Sequence, residues 1–205
     1  MKKIHYLTGL TITIFIGLHL FNHLMSIFGA DAHLSFMQQI RPFYRNAIAE
    51  TMLILAVLLQ ITTGIFLFAA KRNLKLNFYK KMQLYTGLYL AFFFVIHIGA
   101  VMSGRFLLNL DTNLYFGIAG LNTFPLNLFF MPYYSLAILA FFGHLAAIHS
   151  YKMKKNIFGL SVPQQSNLIL TIGGAVTFGI LYGLTNGFIG FEIPKEYHIH
   201  ILIGK

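Results

Sequence analysis

Nine histidines are spread through a sequence that has no cysteine and in which only 10% of residues are charged. Without cysteine there are no disulfides, thiolate metal sites or cysteine-ligated iron–sulfur clusters, and no C-x-x-C-H attachment of haem. Imidazole is what remains for metal or proton chemistry. Two of the nine repeat a pattern: Thr8-Gly9 is followed by His19 ten residues after the glycine, and Thr86-Gly87 by His97 ten residues after its glycine. Two imidazoles at one depth on parallel helices would ligate a metal from opposite sides. The iron of a non-covalently held b-type haem is the natural candidate. Thr8, Phe15, His19, Asn22 and Ser26 share one helical face, which suits a lined interior rather than lipid.

The elements that must position these groups are spans. Hydrophobic residues make up 57% of the 205, and mean hydropathy is +0.70. A soluble domain carries about 25% charged residues, so most of this surface does not face water. That argues against an ordinary soluble enzyme, a disordered chain and, despite the net charge of +10, a nucleic-acid-binding domain. Five apolar stretches, at about 4–29, 48–70, 82–103, 128–151 and 166–190, each reach the roughly 20 residues needed to cross a bilayer. They are continuous rather than alternating, and helices satisfy their own backbone groups in lipid. The expectation is one all-α integral membrane domain over 1–205, a four-helix haem-binding bundle plus a fifth helix. The first stretch is long, carries two histidines in its second half and lacks a small-residue cleavage site, so it reads as a span rather than a signal peptide. The connections at 71–81 and 152–165 are short and basic; those at 30–47 and 104–127 are longer and carry Pro42, Pro125, Asp31 and Asp111.

Charge fixes the expected orientation. The amino terminus, 71–81 and 152–165 together hold ten basic residues, including Lys75, Lys80 and Lys81, and no acidic ones. The other side balances five (Arg41, Arg45, Arg105, Lys195, Lys205) against five (Asp31, Glu50, Asp111, Glu192, Glu196). The positive-inside rule then places the amino terminus inside and the carboxyl terminus outside. His19 and His97 each fall about fifteen residues, or roughly 22 Å, from the inner start of their spans.

The remaining polar groups sort by depth. His144 on the fourth span lies nearer the inner face, and its antiparallel neighbour, the second span, offers only Gln60, followed by Gly64. An amide is a poor axial ligand, so this second site is incomplete. His149 lies near the basic inner loop and reads as interfacial. His23, one turn after His19, is a rival ligand or a quinone-site group, with Arg41 and Glu50 at the same outer end as its companions. His5, His33, His198 and His200 lie near or beyond span ends and read as surface residues. A lone His-x-x-x-His at 19–23 does not make a di-iron desaturase, which needs several such boxes. Ala175, Gly179, Gly183 and Gly187 form a small-residue stripe on the fifth span, suited to close helix packing within the chain or between subunits.

Taken in order, these motifs resemble the five-helix, di-haem cytochrome b membrane-anchor subunit of succinate:quinone oxidoreductases and quinol:fumarate reductases. The resemblance runs through His5-Tyr-Leu-Thr-Gly9 to His19-Leu20 and Asn22, Pro42 to Glu50, Gln60-x-x-x-Gly64, Gln83-x-x-Thr86-Gly87 to His97, Gly143-His144, and Gly159 to Ser166. It implies an anchor in a bacterial cytoplasmic or equivalent respiratory membrane. Such an anchor docks flavoprotein and iron–sulfur subunits on its inner face, performs no dicarboxylate chemistry itself, and exchanges electrons with quinone. Carried over, it implies His19 and His97 as the outer haem pair and His144 as the surviving half of the inner pair. Gln60 stands where the family has histidine, and Gly9, Gly87 and Gly64 flank the cofactor positions. One haem b is expected, and the inner site is the departure. A stand-alone haem-b redox or sensor protein, and a haem-free structural subunit, are the rival readings.

Overall fold

The computed structural model describes residues 1–198, so His200 and Lys205 lie outside the described residues. The chain is helical: α1 Lys2–Met25, α2 Ala30–Tyr44, α3 Ala47–Lys71, α4 Phe78–Phe106, α5 Leu114–Ile118, α6 Asn127–Lys152 and α7 Val162–Leu184. Among the described residues there is no strand, only an isolated bridge between Ile157 and Leu160. Five of the helices, α1 with its 3₁₀ extension to Phe28, α3, α4, α6 and α7, are long and apolar enough to cross a membrane.

Helix starts are written in the side chains. The Asn46 and Asn77 carbonyl groups accept the free backbone N–H groups of Ala49 and Lys80, each at 3.0 Å, at the starts of α3 and α4. Gln164 accepts the backbone N–H of Ser161 at 2.8 Å where α7 begins. The fifth helix is shorter than the apolar stretch suggests. It ends at Leu184, and the chain then turns through Asn186, Gly187 and Phe188, all at positive φ.

The five long helices form a closed ring in the order α1, α3, α4, α6, α7 and back to α1. The fifth span is therefore part of the wall, not an addition to a four-helix bundle. Two of its four small residues are spent on packing within the chain, while Ala175 is exposed and Gly187 lies beyond the helix end. A Cβ on Gly183 would stand 2.3 Å from the Ser26 hydroxyl and 2.7 Å from the Ile27 backbone nitrogen, and one on Gly179 would press on Leu24 and Ile27. Only glycine lets α7 come this close to the end of α1.

Two elements close one end of the ring. The expected 30–47 connection is mostly helix α2, entered through Gly29 at φ 106°. His33, Met37, Arg41 and Tyr44 recur at helical spacing on α2, and both His33 and Met37 are buried. The second is α5 with its following turn. Leu114, Ile118 and Leu121 pack on Ile138 of α6 and on Ile180 and Leu184 of α7, each such burial worth about 1.5–3 kcal/mol. The opposite end carries the basic connections.

Candidate functional site

His19 on α1 and His97 on α4 face one another across the ring, with centroids 6.0 Å apart and planes at 66°. Each is held by a phenylalanine one turn earlier. Phe15 stacks on His19 at 5.9 Å and Phe93 on His97 at 5.0 Å. Both imidazoles line a largely apolar cavity of about 290 Å³ in the half of the ring nearest α2. That is the small end of the roughly 300–1,000 Å³ typical of ligand sites. His23, Arg41 and Glu50 line it too. The cavity thus brings together all five residues expected at the outer haem and quinone positions.

A chain of imidazoles runs away from it. His23 Nε2 lies 3.1 Å from His19 Nε2, and His23 Nδ1 lies 3.4 Å from His33 Nε2. The Asn22 side chain reaches the same His33 nitrogen at 3.2 Å. Each contact between rings needs one N–H and one lone pair, so the tautomers of the three histidines are set together. His33 is not a surface residue: it is 2% exposed. Burial, with the neighbouring His19, brings its pKa down to about 4. Its Nδ1 and Asn22 Oδ1 are buried without a partner. His5 is not a surface residue either, since Nδ1 meets the Thr63 hydroxyl of α3 at 2.8 Å. His149 bonds Gln165 at 2.9 Å, and His198 the Ile193 carbonyl at 2.9 Å.

The mouth of the cavity is ionic. Arg105 donates to both oxygens of Glu50, and Arg41 to both oxygens of Asp111. Arg45 lies 3.6 Å from Asp111. Hydrogen bonding to Arg41 holds the Asp111 carboxyl below the usual carboxylate range, and burial raises the Tyr44 phenol. Sequence reasoning placed Arg45 and Arg105 only as outer charges and gave Phe93, Tyr44 and His33 no role at the site. One signal was available: Thr-Gly, five residues, Phe, three residues, His occurs at 8–19 and again at 86–97.

A haem fits the chemistry of the first site. His19 and His97, two imidazole donors with ring centres 6.0 Å apart across one cavity, are the residues that would hold its iron. His19 Nε2 is turned to His23, so ligation exchanges that contact for the metal. Among the described residues no group of three or more histidines and carboxylates is arranged to hold a bare metal ion.

The second site does not fit. A Cβ on Gly9 would stand 2.4 Å from the Gln60 amide nitrogen, which donates to the His5 carbonyl at 2.8 Å. The His144 ring lies against Gly87, its Nδ1 is 3.2 Å from the Thr86 hydroxyl, and the His5 ring faces Gly64. The room left by these glycines is taken by the chain's own side chains. Gly9, Gly64, Gly87, Gln60 and His144 do not line the cavity.

Comparison with protein-family models, with curated proteins and with solved structures found no match.

Proposed function

We propose that the chain is the cytochrome b membrane anchor of a succinate:quinone or quinol:fumarate oxidoreductase, holding one haem b between His19 and His97. The observation that supports this reading is the pair of imidazoles, each stacked on its own phenylalanine, meeting across one cavity. When bound, the haem supplies a one-electron carrier at that depth. The protein's residues do the rest. Phe15 and Phe93 fix the ring planes, and the apolar wall excludes water. His23, Arg41 and Glu50 give the cavity the polar edge at which a quinone takes up or releases protons. The basic 71–81 and 152–165 connections form the face on which the flavoprotein and iron–sulfur subunits dock, in a bacterial cytoplasmic or equivalent respiratory membrane.

The test is a visible spectrum with a pyridine haemochrome assay on protein purified from membranes. One low-spin haem b per chain is expected, lost in both His19→Ala and His97→Ala. An unchanged reduced spectrum in His97→Ala would reject the site. Loss in His23→Ala with retention in His19→Ala would move the α1 ligand one turn along. Co-purification of a flavoprotein and an iron–sulfur protein separates the anchor from a stand-alone haem protein.

A further inference from the structure

The α2 end of the ring carries few cations, and they are not scattered. Of its four described basic residues, all but Lys195 line the cavity: Arg41, Arg45 and Arg105. Only two carboxylates face them. Glu50 is taken by Arg105 and Asp111 by Arg41, each through both oxygens. Arg45 keeps only a share of Asp111 at 3.6 Å, beyond hydrogen-bond length. Three guanidiniums against two carboxylates leave one positive charge unmatched. Arg45 is also crowded: burial and the nearby Arg41 and Arg105 push its pKa below the usual guanidinium value. An added anion would relieve that crowding.

The surroundings say what kind of anion. On one side Arg41 and Arg45 line the largely apolar cavity. On the other they line an open groove of about 580 Å³ shared with Gln38, Pro42, Asn46 and Asp111. A ligand lying across that boundary has its polar end at the two arginines and its apolar body against the cavity wall.

We infer that Arg45, with Arg41 beside it, forms a carboxylate-binding subsite at the cavity mouth, taking the acid group of a ligand whose apolar body lies within. A guanidinium suits this task because its planar fork matches both carboxylate oxygens and stays charged when partly buried. Two sources supply the chemistry. Haem b carries two carboxylates on one edge of a flat apolar macrocycle, and membranes supply long-chain fatty acids. The inference rests on the proposed function for the first source only.

The experiment compares acid with ester on the full-length protein purified in detergent from haem-depleted cells. Haem b is paired with its dimethyl ester, and oleate with methyl oleate. Binding is followed by absorbance for the haems and by thermal shift for both pairs. In the wild type at least one acid should bind about tenfold or more tighter than its ester. That ratio should fall towards one in Arg45→Gln and be partly restored in Arg45→Lys. Equal binding of acid and ester in the wild type overturns the subsite. So does an acid preference that survives Arg45→Gln, or binding of neither acid. If Arg45→Gln does not fold, the wild-type ratio and its reduction in Arg45→Lys decide. Failure of both haem forms with an Arg45-dependent preference for oleate rejects the haem reading and keeps the subsite. Haem binding indifferent to esterification, with oleate equally indifferent, does the reverse.

Discussion

An imidazole inside a membrane span is costly unless its neighbours satisfy it. His19, His23 and His33 do this for one another in part, with Asn22 at the end of the line, while His33 Nδ1 and Asn22 Oδ1 stay without a partner. At the other end of the ring the Gln60 amide nitrogen and His144 are paired differently, with the His5 carbonyl and the Thr86 hydroxyl, and Gln60 Oε1 is buried without a partner. That contrast yields a prediction. Gln60→His supplies the missing nitrogen but not the missing room, because residue 60 already fills the space beside Gly9. If the protein holds the one haem proposed, the haem-to-protein ratio measured by pyridine haemochrome should stay at one. A ratio of two would show that the packing opens for a macrocycle. The pair His19 and His97 was legible from the Thr-Gly register, which is a property of one helix face repeated. His33 was not, because it sits in a polar segment where a histidine is ordinarily solvated. Only the fold of α2 against α1 buries it.

The spans were legible as elements because continuous apolar runs of that length have few alternatives. Helix α2 was hidden by its own composition. Its apolar side, Ala30, Leu34 and Met37 at helical spacing, is short and shared with His33, Arg41 and Tyr44, so it falls far below the length of a span. The turn after α7 was hidden for the opposite reason, since Phe188 and Ile189 prolong an apolar stretch whose backbone has already left the helix. Arg41 and Asp111 tie α2 to the segment before α5, and this tie has a pH dependence of known sign. Asp111 is depressed in the folded protein, so its contribution is present above its unfolded pKa of about 3.9. It is lost as pH falls through the lower folded value. The melting temperature of the wild type should therefore exceed that of Asp111→Asn at neutral pH, the two converging in acid. A constant offset down to the lowest pH would mean that the stabilisation is not linked to the Asp111 charge, and coincident curves that the pair contributes nothing. The carboxylate is half-exposed, so the difference should be small.

At the scale of the whole molecule, charge divides the two ends of the ring. The basic end has ten cations and no anions in sequence; the other gathers its ion pairs around the cavity. If the basic end docks soluble subunits, replacing Lys75, Lys80 and Lys81 with Glu should weaken their retention. The effect should be larger at low salt than at physiological salt, where fields decay over about 8 Å. Co-purification at two ionic strengths measures this, with a terminal reporter to verify that topology is unchanged. Retention unaffected in a correctly oriented variant would place docking elsewhere. The order of helices around the ring carries a consequence of another kind. Of the five described spans α7 is the latest in the chain, and it stands between the first and the fourth. Without α7, the wall of α1, α3, α4 and α6 would be open between α1 and α6, where Ile180 and Leu184 line the cavity. The seat of Gly183 against Ser26 and Ile27 shuts that side. Lateral access to the histidines on that side is therefore governed by the packing of α7 against α1.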